Sequence, residues 1–123
     1  MANFFQFPVY KKALDLEKQF SESTKKVPRD VKYCRIDRMH ETVLQIVEDI
    51  AFANEFEGSR TDYINRALGE LNGFVIRVRI LLDLHYITKK GFAAIVRAEE
   101  SVTRQLLGWR NSVEKTAESM SNN

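Results

Sequence analysis

Apolar residues recur along the chain with helical spacing. Val9, Ala13, Leu16 and Phe20 follow one another at intervals of four, three and four, which places them on one face of a helix from about Val9 to Ser23. Pro8 stands at its first turn, where a missing amide N–H costs little, and the polar run Ser21 to Pro28 ends it. A longer second helix opens at Arg29 or Asp30 and carries Ile36, Met39, Val43, Ile46, Ile50 and Ala53 in alternating steps of three and four. Asn54 to Arg60 closes it. Ser59 or Thr61 is placed to cap a third helix with the stripe Ile64, Leu68, Leu71, Val75, Val78 and Leu82. Thr88 is placed to cap a fourth, which carries Phe92, Ile95, Val102, Leu106, Trp109 and Val113, with Glu99 at a position expected to be apolar.

The connections span only a few residues, so consecutive helices should run antiparallel. The fold expected is all-α: an antiparallel up-down-up-down four-helix bundle, one domain over residues 1–123, with flexible ends at 1–8 and 116–123. Helices two and three are apolar beyond one stripe. Leu44, Val47, Ala51 and Phe52 extend the second, and Phe74, Ile76, Ile80, Leu81 and Leu84 the third. Such an excess predicts a further packing surface and hence self-association; the alternative is a generous core.

Composition narrows the class. The chain has 123 residues, enough to bury roughly two-thirds of its unfolded surface. Its two prolines are Pro8 and Pro28, so Arg29 to Asn123 is proline-free, which argues against a sandwich or barrel that needs frequent turns. The lone Cys34 excludes an intramolecular disulfide and a cysteine-built metal cage, and suits a reducing cytoplasm. The N-terminal stretch lacks the features of a signal peptide, and Arg77, Arg79 and Asp83 interrupt the most apolar run, so no membrane partner is expected.

Net charge is only +2, yet the charges segregate. Lys25, Lys26, Arg29, Lys32, Arg35 and Arg38 against Asp30 and Asp37 give +4; Arg77, Arg79, Lys89 and Lys90 against Asp83 give +3. Glu41, Glu48, Asp49, Glu55 and Glu57, with no base among them, give −5. In an antiparallel bundle the two basic segments meet at one end, a local charge of +7, with an acidic pole opposite. Lys32, Arg35 and Arg38, three apart, fan over a face of helix two. These ten bases are the candidate nucleic-acid contacts, each to a phosphate. A solvated surface, or attraction between poles during assembly, would use the same charges.

Catalytic and cofactor motifs are few. The Glu-x-x-His pairs of di-iron bundles, glycine-rich phosphate loops, Cys/His metal spacings and activated serines are all absent, so no cofactor or metal is expected. Glu99 is a candidate catalytic acid with a raised pKa, the alternative being a carboxylate paired with an arginine or placed at an interface; Cys34 is a candidate acidic thiol beside Arg35 and Arg38. Arg35 and His40 are five apart, and Arg79 and His85 six apart. Small helical ribonucleases of the HEPN class use that Arg–His element for general acid–base chemistry and phosphorane stabilisation.

The segment from Val27-Pro28-Arg29 through Ile50-Ala51-Phe52-Ala53-Asn54 resembles the accessory variability determinant (Avd-like) proteins. These belong to a four-helix-bundle family that includes the 23S rRNA intervening-sequence proteins. The likeness continues through Arg77-Val78-Arg79-Ile80-Leu81-Leu82-Asp83-Leu84 and Tyr86-Ile87-Thr88 to Leu106-Leu107-Gly108-Trp109. The Asn54-Glu55-Phe56-Glu57-Gly58 turn differs from the intervening-sequence pattern and favours the Avd-like branch. The resemblance implies a ring-like homopentamer that binds RNA or DNA without catalysing a reaction, with the reverse transcriptase of a diversity-generating retroelement as partner. The alternatives are a purely structural or protein-interaction bundle and, third, the Arg–His ribonuclease.

Overall fold

A computed structural model describes residues 2–121. Four long helices account for most of them: α1 (Pro8–Ser23), α2 (Arg29–Val31, Lys32–Ile36 and Asp37–Glu55 in unbroken succession), α3 (Arg60–Asp83) and α4 (Lys89–Ser121). Each helix packs against two neighbours, α2 against α3 and α1, and α4 against α1 and α3, around one apolar core. The molecule is an all-helical bundle. Among the described residues no helix is long and apolar enough to cross a membrane.

The first helix buries Val9, Ala13, Leu16 and Phe20, the four positions its spacing predicts. In α2 the expected Ile36, Met39, Val43, Ile46, Ile50 and Ala53 are all buried. The third helix differs in phase. Its fully buried positions are Ile64, Ala67, Leu71, Phe74, Val78 and Leu81, while Leu68, Val75 and Leu82 are partly buried. Since α3 packs on both α2 and α4, its apolar face is wide, and the sequence stripe caught only one flank of it. Phe74 meets Phe20 edge-to-face at 5.1 Å, so it is core rather than surplus. The real surplus is Ile76, Ile80 and Leu84, exposed at successive fourth positions.

Near its N-terminal end α2 departs from regular helix. Lys32–Ile36 is a turn of π-helix, in which the Asp37 N–H reaches back five residues to the Lys32 carbonyl. Val31 and Ile36 are also five apart, and both are buried. A regular α-helix would turn one of them away from the core; the wider turn keeps both inside. A pattern starting at Ile36 gives no sign of this.

Backbone groups at the helix ends find partners. The Thr24 hydroxyl donates to the Phe20 carbonyl at 2.8 Å and closes α1. Arg60 folds back on α2, its Nε donating to the Ala53 carbonyl at 2.8 Å and its Nη2 to that of Asn54 at 3.2 Å. The same guanidinium lies 5.6 Å from the Trp109 ring centre and so ties α2, α3 and α4 together. Ser59 precedes α3 but makes no side-chain cap bond, contrary to expectation. Arg60 serves the other side of the connection, donating to the last carbonyls of α2. At the other end of α3 the Tyr86 N–H bonds the Leu81 carbonyl and the His85 N–H that of Leu82, a Schellman closure with His85 at φ 64°. Thr88 caps α4 as expected, its hydroxyl accepting from the Gly91 N–H at 3.0 Å.

The ends expected to be flexible are helical where described. Ala2–Gln6 forms a 3-10 helix, with Phe4 buried at 2% exposure against Phe7 and Tyr10. Continuous helix carries α4 to Ser121, though its last two turns are exposed. Met1, Asn122 and Asn123 lie outside the described residues.

Candidate nucleic-acid interface

All ten basic residues singled out in the sequence, Lys25, Lys26, Arg29, Lys32, Arg35, Arg38, Arg77, Arg79, Lys89 and Lys90, are exposed. Their helix-end positions follow from the fold: Ser23 at the end of α1 touches Gly91 at the start of α4, and Cys34 and Arg38 of α2 share a cleft with Arg77 and Leu81 of α3. A methyl group on Gly91 would lie 3.0 Å from the Ser23 hydroxyl, so glycine permits this close approach of α4 to α1.

The ten do not form one uniform patch. Arg35, Arg38 and Arg77 line a single cleft of about 460 Å³ between α2 and α3, floored by Met39, Ile80 and Leu81 and flanked by the exposed Cys34. The π-helical turn contributes Cys34 and Arg35 to it. Among the described residues none of the three arginines forms an ion pair. The cleft therefore offers three uncompensated guanidiniums over an apolar floor, a fit to phosphate oxygens beside a base or sugar.

Other bases are engaged locally. Arg79 pairs with Asp83 at 3.1 Å and stacks 6.0 Å from the Phe92 ring centre on the α4 side. Lys25 pairs with Glu22 at 2.8 Å, and Arg29 stacks on Tyr33, 5.6 Å from its ring centre. Both carboxylate pairs are exposed, so a phosphate can compete for their cations.

The opposite end is less acidic than the sequence sum suggests. Asp49, counted there, is 1% exposed and belongs to the interior. Arg60 and Arg66, which follow the acidic run in sequence, fold back against it, Arg66 with its Nε 3.8 Å from Asp49 Oδ2 and Arg60 on the α2 carbonyls.

The Arg–His element does not converge. The partly buried His40 faces α1, its Nδ1 bonded to a Glu17 carboxylate oxygen and its ring edge-to-face with Phe20. It lines a groove with Tyr10, Val43 and Leu44, whereas Arg35 lines the cleft toward α3. His85 is part of the helix closure, and its partner Arg79 is held by Asp83.

Two carboxyl features bear on the interior. Glu99 is buried and accepts a 2.7 Å hydrogen bond from the Thr103 hydroxyl rather than pairing with an arginine. Burial raises its pKa above the ordinary 4.5, with the Thr103 bond opposing and Glu100 adding. The second feature has no counterpart in the sequence reading: Asp49 of α2 and Glu70 of α3 come together across the bundle, with Gln45 donating to Asp49 Oδ1 at 3.2 Å. Burial first, then the Asp49 carboxyl, push Glu70 from 4.5 to about 7, against the opposing pull of Arg66.

The fold and this surface define a helical-bundle protein with an arginine cleft at its basic end. No family model matches the chain, and neither does any curated protein.

Proposed function

We propose that the protein is a non-enzymatic accessory protein that binds nucleic acid through the basic end of an up-down-up-down four-helix bundle. The observation that carries the reading is the cleft in which Arg35 and Arg38 from α2 meet Arg77 from α3, unpaired and exposed. Three guanidiniums held over apolar side chains contact phosphates and leave room for a base, while Lys25, Lys26, Arg29, Lys32, Arg79, Lys89 and Lys90 extend the field along the strand. The antiparallel order accords with contacts that pair rising with falling residue numbers, such as Glu17 with His40, Arg60 with Trp109 and Arg79 with Phe92.

The protein assembles into a ring-like homo-oligomer, by resemblance a pentamer, through the apolar residues that its own core leaves uncovered. Ile76 and Leu84 are exposed in this way on α3, and Leu44 on α2, whereas Ile80 belongs to the floor of the arginine cleft. On this reading it serves RNA or DNA in the cytoplasm and assists a reverse transcriptase. The test is equilibrium binding of single- and double-stranded oligonucleotides across a salt series, with light scattering for the assembly. Copurification with a reverse transcriptase encoded beside its gene tests the partner. The same exposed apolar residues favour the purely structural reading if no nucleic acid binds at low salt.

A further inference from the structure

The arginine cleft continues into a second groove. Arg77 lines both: on one side it meets Arg35 and Arg38, and on the other it joins Thr42, Gln45, Arg66, Gly69, Glu70 and Gly73 around a space of about 390 Å³. Glu70 lines this second groove, and the buried Asp49 approaches it from the facing helix, beneath the groove's lining. One oxygen of each, Asp49 Oδ2 and Glu70 Oε2, is buried without a hydrogen-bond partner. Two ionised carboxylates cannot occupy such a place without strong repulsion, whereas one proton held between them turns the repulsion into a hydrogen bond. The charged groups facing the pair are Arg66, whose Nε is 3.8 Å from Asp49 Oδ2, and Arg77 along the groove, both on α3. From α2 come Asp49 itself and the neutral Gln45 and Thr42.

We propose that Asp49 and Glu70 share a proton that controls how strongly the groove beside Arg77 holds a phosphate. With the proton in place, Arg66 and Arg77 face a single negative charge and the groove is net positive. Without it they face two, Arg66 is drawn onto the carboxylates, and the groove is neutral. Gly69 and Gly73 leave this wall open, with no atom within 4 Å of a methyl added at Gly69, so a phosphodiester strand leaving the arginine cleft can lie along it. The direction of the Glu70 shift agrees with a proton taken up and released around neutral pH. The proposal rests on nucleic-acid binding at the basic end, and it adds a pH control to that site.

The experiment is a fluorescence titration of a short single-stranded oligonucleotide at fixed salt, at pH 6 and pH 8.5, on wild type, Glu70→Gln and Asp49→Asn. The expected result is an affinity for wild type that falls about fivefold between the two pH values, the effect of one charge close to the bound phosphate. Glu70→Gln, which can neither take up nor release the proton, should lose most of that fall; Asp49→Asn, which keeps Glu70 buried but removes the neighbouring carboxylate, should lose a smaller part of it. The variants change no other ionisable group, so the difference between wild type and variants reports on the pair. Binding that falls in parallel in all three overturns the proton control and leaves the basic-end reading standing. Absence of binding at either pH overturns both. If Asp49→Asn fails to fold, Glu70→Gln decides alone.

Discussion

Arg35 of α2 and Arg77 of α3 line the same cleft, while Arg79, two residues further along α3, is turned to Asp83 and Phe92. Neighbouring arginines thus have different surroundings. Replacing Arg77 with alanine should weaken oligonucleotide binding several-fold, because it forms no ion pair and two grooves share it. Replacing Arg79 should weaken it less, because Asp83 already offsets its charge. Fluorescence titrations at one salt concentration, run on both variants, check the order; equal losses would count against the cleft as the centre of binding.

Stability should respond to pH through Glu70. Its folded pKa of about 7 lies above the ordinary 4.5, so folding favours the protonated form. That contribution is complete below 4.5 and is lost as pH rises through 7. Glu99 is shifted in the same direction by burial. Thermal unfolding of wild type and Glu70→Gln between pH 4.5 and 8 should therefore show the midpoint of wild type falling relative to the variant. A constant difference between them would contradict the account of the pair.

His85 sits in the left-handed region at φ 64° to complete the closure of α3. A residue with a side chain adopts that conformation at a cost of about 1–2 kcal/mol, which glycine avoids. His85→Gly should raise stability by about 1 kcal/mol and the thermal midpoint by about 4 °C. His85→Ala keeps the strain and should give no such gain. Differential scanning calorimetry of the two variants checks this.

Phe4 is buried against Phe7 and Tyr10, although it lies in a segment that reads as a loose end. Phe4→Ala should cost about 3 kcal/mol, the usual loss for emptying a buried aromatic site. Chemical denaturation measures it directly. A loss under 0.5 kcal/mol would mean that the N-terminal 3-10 helix does not hold the core in solution.

Much of the helical framework was legible in the residues. Helix α1 and the regular part of α2 follow from their three–four spacing, since each buries one face and their polar flanks are unambiguous. Thr88 was legible as a cap for the same local reason. The phase of α3 was not, because it packs on two neighbours and both flanks of its stripe are apolar. Nor was the π-helical turn, which arises from the need to bury Val31 and Ile36 together and leaves no mark on composition. At the site, the ten bases could be named, but not which three share a cleft, since that depends on how α2 and α3 are set against each other. Asp49 read as one of several solvated acids. Its position beside Ile50 and three residues after Ile46 in the buried series was the one signal that it points inward.

The central claim is that the arginine cleft is where this protein holds nucleic acid. Its most direct test is the salt dependence of oligonucleotide affinity for wild type and for the triple variant Arg35→Glu, Arg38→Glu and Arg77→Glu. Each phosphate contact contributes about 0.7 to the slope of log affinity against log salt on a single strand. The variant should bind at least tenfold more weakly, with a slope shallower by about 2. An unchanged affinity and slope would contradict the claim.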